Sequence, residues 1–469
     1  MRLLFLLLLF LVGSRVHAQT SRVSNVHPRV DGQGKIVDAH DGRVIQFEDR
    51  FYWYGTRYGN TNGFTKANTY VVYSSPDLMQ WQFDGELLVD APEGVYYRPH
   101  VIYNERTGKY VLWYNWYPKL WDGQFGVAVS DSPTGPFRIV SPDAKVSKSA
   151  IGVGDLGLFV DDDGTAYLSY NSIQNHQLVV ERLDKNYTAS TFETSEIIAE
   201  HVEAGSMFKQ GGLYYLLTDY TCCFCNFGSG ARVYTSKNPL GPYMFSSNIN
   251  RYPGRALPAL TDGRIMGIKP VQMEVKHELA IVRRAGQPLK EVSIYLFTGD
   301  RNGQCGQVDQ PRVHPKIVVP DFDFYVNDKQ ITADAMSVDT LGLRNKLTFR
   351  FESSVEADLI VKIAESFPYD KLSLLEIASN PESTVEVFLQ GQGIQRPPII
   401  PAQQSYVMEL STEEGTKYIW MGDLWGSASD NIKGHDYQYW SAPLEFNKDG
   451  SIRRMRWSDG WEVELINSR

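Results

Sequence analysis

The chain is predicted to be all-β, a five-bladed β-propeller with a β-sandwich domain inserted between blades four and five. Three observations predict it. A short aromatic phrase recurs five times, as RFYWYGT, GKYVLWYN, GTAYLSYN, GLYYLLTD and TKYIWMGD. The tyrosines of the first four copies, Tyr52, Tyr110, Tyr167 and Tyr215, are separated by 58, 57 and 48 residues, spacings that suit four-stranded blades with some longer loops. A polar residue precedes each of these tyrosines by eleven or twelve positions: Asp41, Arg98, Asp155 and Glu203. One polar side chain per repeat, at nearly the same place, predicts convergence on a single axis.

The first eighteen residues read as an export signal. Arg2 is followed by the apolar run LLFLLLLFLVG and by Val16-His17-Ala18, a small-residue cleavage site before Gln19. The expected location is secreted, periplasmic or at the cell surface. No later run is apolar for the length a bilayer requires, so no membrane insertion is expected.

Residues 19–251 hold blades one to four. Their runs, such as TYVVYSS, FGVAVSD and ARVYTSK, are short, rich in β-branched and aromatic residues, and punctuated by Gly, Pro, Asp and Asn. A second phrase follows copies one, two and four: YSSPDLMQW, VSDSPTGPF and YTSKNPLGPY each place a Pro-containing turn before an aromatic.

The fifth copy, at Tyr418, comes 203 residues after the fourth. One blade leaves about 150 residues over, too many for a structureless loop. Residues 252–398 carry strand-like runs of their own, including EVSIYLF, KLTFRFES and ADLIVKIAE, and are read as the inserted sandwich. Its expected roles are sugar binding, packing against the propeller or shaping the cleft. Residues 399–469 supply blade five, which YQYWSAPLEF and IRRMRWSDGWEVEL complete.

The formal charge is −9, from 46 basic and 55 acidic residues, which argues against nucleic acid as a partner. Aromatic residues make up 13% of the chain; most are assigned to the β core, although such rings also stack on sugars. Cys222, Cys223 and Cys225 cluster in TCCFC, far from Cys305. One or two disulfides, with Cys305 joined to the triplet, compete with free thiols; the spacing makes a poor zinc site.

Two carboxylates facing each other across a pocket can hydrolyse a glycosidic bond, one protonating the leaving oxygen and the other activating water. Asp41 in AHDG, Asp155 in GVGDLGLFVDDDG and Glu203 in HVEAGSMFK are the candidates. Asp155 and Glu203 each open an apolar strand, where a buried charge needs a reason. Asp161, Asp162 and Asp163 stand before Gly164 and read as a hairpin turn.

AHDG before RFYWYGT, DLGLFVDDDGTAYL, VEAGSMFKQGGLYYL and the closing IWMGDLW together resemble glycoside hydrolase family 43 over residues 35–250 and 400–465. The resemblance implies a five-bladed propeller whose three carboxylates invert anomeric configuration. Asp41 then matches the base, Glu203 the acid and Asp155 the residue that tunes and orients the acid. YRPHVIYNERTGKYVLWY, PAQQSYV and YIWMGDLW look most like the galactan 1,3-β-galactosidase branch, in which a Gln near Gln403-Gln404 takes the base role. Asp41 is the first choice for base, Gln404 the second, as substrate contact or auxiliary base, and Asp38 a fallback.

Arg98, His100 and Trp116 are candidate substrate contacts, against structural roles for each. The expected substrate is an oligo- or polysaccharide losing a terminal sugar, with β-galactose first and α-L-arabinofuranose or β-xylose as alternatives. A non-catalytic glycan-binding propeller is the reading from another class. No cofactor is required and no metal ligands are assigned, although the resemblance allows a structural calcium ion in the channel.

Overall fold

The computed structural model describes residues 19–250, 277–298, 321–389 and 399–466, apart from 62, 64, 120, 121, 222, 225–227, 283–286, 364–371 and 431. Residues 1–18, and Cys222, Cys225 and Cys305, lie outside them, as do the export-signal and disulfide expectations that rest on these residues.

The described residues form strands in seven sheets, with two single-turn 3₁₀ segments and no α-helix. Four sheets are simple meanders of four antiparallel strands. Their first strands are His40–Phe47, Val95–Asn104, Val153–Val160 and Val202–Gln210. Each next strand carries one of the aromatic phrases: Arg50–Arg57, Lys109–Tyr117, Ala166–Ser172 and Leu213–Tyr220. The fourth strand is the most exposed of each sheet. Val95–Asn104 is buried except at Tyr103, whereas Ser190–Thr194, the fourth strand of its sheet, is mostly exposed.

A fifth sheet is built from both ends of the described chain. Gln403–Thr412, Gly415–Leu424 and Tyr437–Trp440 follow the same plan. Beside Gln403–Thr412 lies Gly460–Leu465, which pairs with Gln19–Ser24 in continuous register from Gln19 against Leu465 to Ser24 against Gly460. Closure therefore uses an N-terminal strand as well as the expected C-terminal segment.

The five first strands neighbour one another in a closed cycle: His40–Phe47, Val95–Asn104, Val153–Val160, Val202–Gln210, Gln403–Thr412, and back to His40–Phe47. An apolar layer fills each gap between successive sheets, because side chains alternate between the two faces of a strand. Trp53 packs towards Met421 and Trp440 of the fifth sheet, while its neighbour Tyr54 packs with Leu112 and Tyr114 of the second. Burying such rings on both faces explains the aromatic content of the repeated phrases.

Between the fourth and fifth sheets the chain forms two further sheets. One orders Lys329–Ile331, Phe322–Val326, Leu359–Ile363, His277–Val282 and Thr384–Leu389; the other orders Ala335–Leu341, Arg344–Val355, Leu289–Phe297 and Ser373–Asn380. Both contribute to one core, with Phe324, Leu359 and Val361 from the first meeting Val292, Ile294, Leu347 and Phe349 from the second. This unit is tied to the fifth sheet's edge. The Leu343 N–H donates to the Val26 carbonyl at 3.3 Å, and the buried Arg344 donates through Nε to Asp459 Oδ1 at 3.0 Å.

Candidate active site

The same irregularity interrupts all five first strands. Register with the second strand shifts between His40 and Arg43, Tyr97 and His100, Val153 and Leu156, Glu203 and Ser206, and Gln404 and Tyr406. A β-bulge inserts an unpaired residue, bends the strand and re-aims a side chain. Asp41, Arg98 and Asp155 lie within three of these bulges, and Glu203 lies immediately before a fourth. The offset of eleven or twelve residues from the tyrosines thus marks one bulge per sheet. Asp41, Arg98 and Ala204 adopt positive φ angles of 47°, 52° and 54°, a strained conformation for residues with a Cβ. Gly42 completes the first bulge because a Cβ there would lie 1.8 Å from the Tyr54 carbonyl oxygen.

One cavity, open to solvent, collects Asp41, Arg98, Asp155 and Glu203. Its walls include Tyr58, Tyr97, Tyr117, His176, Phe224, Gln403 and Trp425. No lining residue comes from 252–398 among the described residues.

Asp41 accepts hydrogen bonds from the Tyr58 hydroxyl on both carboxylate oxygens, at 3.2 and 3.0 Å. Its carboxyl is pushed up to about 7, chiefly by burial; Arg98 opposes this and the Asp423 carboxylate adds to it. Asp155 pairs with Arg98 Nη2 at 2.9 Å. It is also raised, first by burial, with Arg98 opposing and the Glu203 carboxylate reinforcing. Arg98 is buried, and its Nη1 also donates to the Gln404 and Ser405 carbonyls, both at 3.1 Å. The guanidinium therefore links the second, third and fifth sheets around the cavity. Glu203 is 6% exposed and has His176 Nδ1 3.2 Å from Oε1.

Three sequence-predicted contacts do not line the cavity. Gln404 is fully buried behind it: Nε2 donates to the Ala204 carbonyl at 2.7 Å, and Oε1 accepts from Trp420 Nε1 at 2.8 Å. Its neighbour Gln403 lines the cavity instead, with Oε1 accepting from the Phe224 N–H and Trp425 Nε1. The shift by one residue follows from the period-2 alternation of the strand. His100 is fully buried against the Tyr406 ring, its imidazole held far below the usual histidine range by burial and by Arg43 and Arg98. Trp116 stacks on Tyr96 and donates to the Pro142 carbonyl. Asp38, the fallback base, is absent from the lining; its oxygens accept from the Tyr58 and Gly59 N–H groups.

A second polar ring went unread in the sequence although its signal stands at the end of the repeated phrases. Thr56, Asn115, Asn171, Asp219 and Asp423 are the last residues of the five copies, and all are buried. Asp219 sits opposite Glu203 in register and accepts from the Ser229 hydroxyl at 2.6 Å. Burial pushes its carboxyl well up, and the Glu203 carboxylate adds to the effect. Asp423 accepts from His40 Nδ1 at 3.0 Å and from the Asp41 N–H at 2.8 Å.

Among the described residues no group of three or more His, Cys, Asp or Glu is arranged to hold a metal ion, and no helix is long and apolar enough to cross a membrane. The cavity thus offers carboxyl groups of differing surroundings, one guanidinium and aromatic walls. That equipment suits proton transfer to and from a polar, hydroxyl-rich ligand.

The chain is similar in sequence or fold to several known proteins. The arabinoxylan arabinofuranohydrolase of Bacillus subtilis (strain 168) is 25% identical over 298 residues, or 54% of this chain and 58% of that protein. The chain thus spans little more than half the length of that curated relative. An exo-β-1,3-galactanase from Clostridium thermocellum shares the fold with a TM-score of 0.56 at 17% identity, covering 95% of this chain and 68% of that one. A GH43 β-1,3-galactosidase solved with galactodeoxynojirimycin gives 0.53 at 19% identity, covering 94% and 99%. The model of glycosyl hydrolases family 43 matches residues 36–250, the stretch that carries Asp41, Arg98, Asp155 and Glu203. Over residues 36–250, a little under half of the chain, the sequence is similar to glycosyl hydrolases family 43.

Proposed function

We propose that the protein is an exported, exo-acting glycoside hydrolase that inverts anomeric configuration and removes a terminal sugar, β-galactose first, from a polysaccharide. The observation that carries this reading is the gathering of Asp41, Asp155 and Glu203 around Arg98 in one cavity. Glu203 is the acid that protonates the leaving oxygen. Asp41 is the base that takes a proton from the attacking water, and Asp155, fixed by Arg98, tunes and orients the acid. The buried walls from Tyr97, Tyr117, Phe224 and Trp425 favour a pocket for one chain end over an open groove.

The architecture that fits the closed cycle of five first strands is a five-bladed β-propeller. The pair of sheets after Asn250 is its inserted β-sandwich, which packs on the fifth blade and, among the described residues, lends none to the cavity lining. Export is supported by the apolar leader and the small-residue cleavage site before Gln19. The β-galactose preference rests on the β-1,3-galactan-directed proteins of shared fold. The arabinoxylan-directed relative supports α-L-arabinofuranose as the second reading.

The test is turnover of aryl β-galactoside, α-L-arabinofuranoside and β-xyloside, with proton NMR of the first anomer released. Fastest release from the β-galactoside, giving α-galactose first, is expected. A β-galactose first product overturns inversion, and preferred turnover of the arabinofuranoside overturns the sugar assignment.

A further inference from the structure

Asp41 is held in a backbone conformation it would not choose. A φ of 47° at a non-glycine residue persists only where the surroundings over-determine it. They include the Asp423 carboxylate, whose Oδ2 accepts the Asp41 N–H at 2.8 Å. The other oxygen, Oδ1, lies 3.0 Å from His40 Nδ1. On the far side of the ring, His40 Nε2 is 3.7 Å from Asp38 Oδ1, and Asp38 is itself fixed by the Tyr58 and Gly59 N–H groups. His40 is fully buried, and Asp423 is 3% exposed.

These contacts close a loop around the candidate base. Asp38 holds the backbone of Tyr58, whose hydroxyl holds the Asp41 carboxylate, while His40 holds Asp423, which holds the Asp41 backbone. Asp423 arrives from the fifth sheet, on Gly415–Leu424, and His40 and Asp41 from the first. The seam where the chain closes therefore also aims the base. Neither His40 nor Asp423 is among the residues lining the cavity.

We infer that Asp423 and His40 are positioning residues that lock Asp41 in its left-handed bulge and so point its carboxylate at the water that attacks the sugar. This inference rests on Asp41 being the base. Loss of the acceptor would let Asp41 relax to a common backbone conformation, and a displacement of about 1 Å at a reacting group costs on the order of 100-fold in rate.

The test compares Asp423→Ala, Asp423→Asn and Asp41→Asn on the aryl glycoside that the wild type turns over fastest, with kcat and KM resolved. Asp423→Ala is expected to lower kcat by about 10- to 100-fold with KM within about threefold. Asp423→Asn keeps an oxygen to accept the Asp41 N–H, and its amide can donate to His40 Nδ1 once the imidazole proton sits on Nε2, beside Asp38, so its kcat should stay within about threefold of wild type. Wild-type kcat in Asp423→Ala overturns the positioning role, as does a folded Asp423→Asn as inactive as Asp41→Asn. If Asp423→Ala does not fold, the Asn comparison decides alone. Wild-type turnover by Asp41→Asn would instead sink the assignment of the base, which separates that failure from failure of the clamp.

Discussion

Asp41 carries opposed demands of stability and function. Its carboxyl is pushed up to about 7 because burial disfavours the charge, yet the proposed base must be ionised. Turnover should therefore fall as pH drops through about 7, read from kcat/KM between pH 5 and 9. The linkage to folding has the opposite sense. A carboxyl whose folded pKa lies above its unfolded value of 3.8 leaves stability intact at low pH and removes it as pH rises through about 7. Asp41→Asn should thus melt higher than wild type at pH 8 and close to it at pH 4, while losing at least about 100-fold in turnover. Thermal unfolding at the two pH values checks the sign; a variant no more stable at pH 8 contradicts it.

At the scale of the element, the closing pair Gln19–Ser24 and Gly460–Leu465 joins the ends of the described fold. Val23 is 5% exposed and packs with the core shared by the first and fifth sheets. Val23→Asp places an unpaired charge there and should cost about 3 kcal/mol or more, measured by urea unfolding. The partner strand of this seam was legible in the sequence, whereas Gln19–Ser24 was not. QTSRVS has the alternation of a strand but none of the repeated aromatic phrase, and only long-range pairing identifies its place. The bulges were legible in outline: a constant offset from Tyr52, Tyr110, Tyr167 and Tyr215 located Asp41, Arg98, Asp155 and Glu203. Which residue of a neighbouring pair faces the cavity was not, because one step along a strand reverses its side, as Gln403 and Gln404 demonstrate. Tyr58, His176, Phe224 and Trp425 come from connections between strands, and no periodicity orders them around a cavity formed by distant segments.

Across the whole molecule, the five sheets make the cavity and the segment between the fourth and fifth braces one side of the ring. Arg344, with 4% of its side chain exposed, joins Asp339 at 2.9 Å to Asp459 in the turn before the closing strand. Arg456 adds a contact to Glu376 at 3.2 Å. Arg344→Ala should lower unfolding free energy by about 1–3 kcal/mol while leaving turnover within about twofold of wild type. Differential scanning calorimetry and the glycoside assay read the two effects separately. As the proposed acid, Glu203 protonates a sugar leaving group inside that ring. A sugar hydroxyl leaves poorly as its anion and needs the proton, whereas a dinitrophenolate does not. The most direct measurement is therefore hydrolysis of β-1,3-galactobiose and of a 2,4-dinitrophenyl β-galactoside by wild type and Glu203→Gln. Glu203→Gln is expected to lose at least about 100-fold on the disaccharide and far less on the dinitrophenyl glycoside. Equal rates for the two proteins on the disaccharide would contradict it.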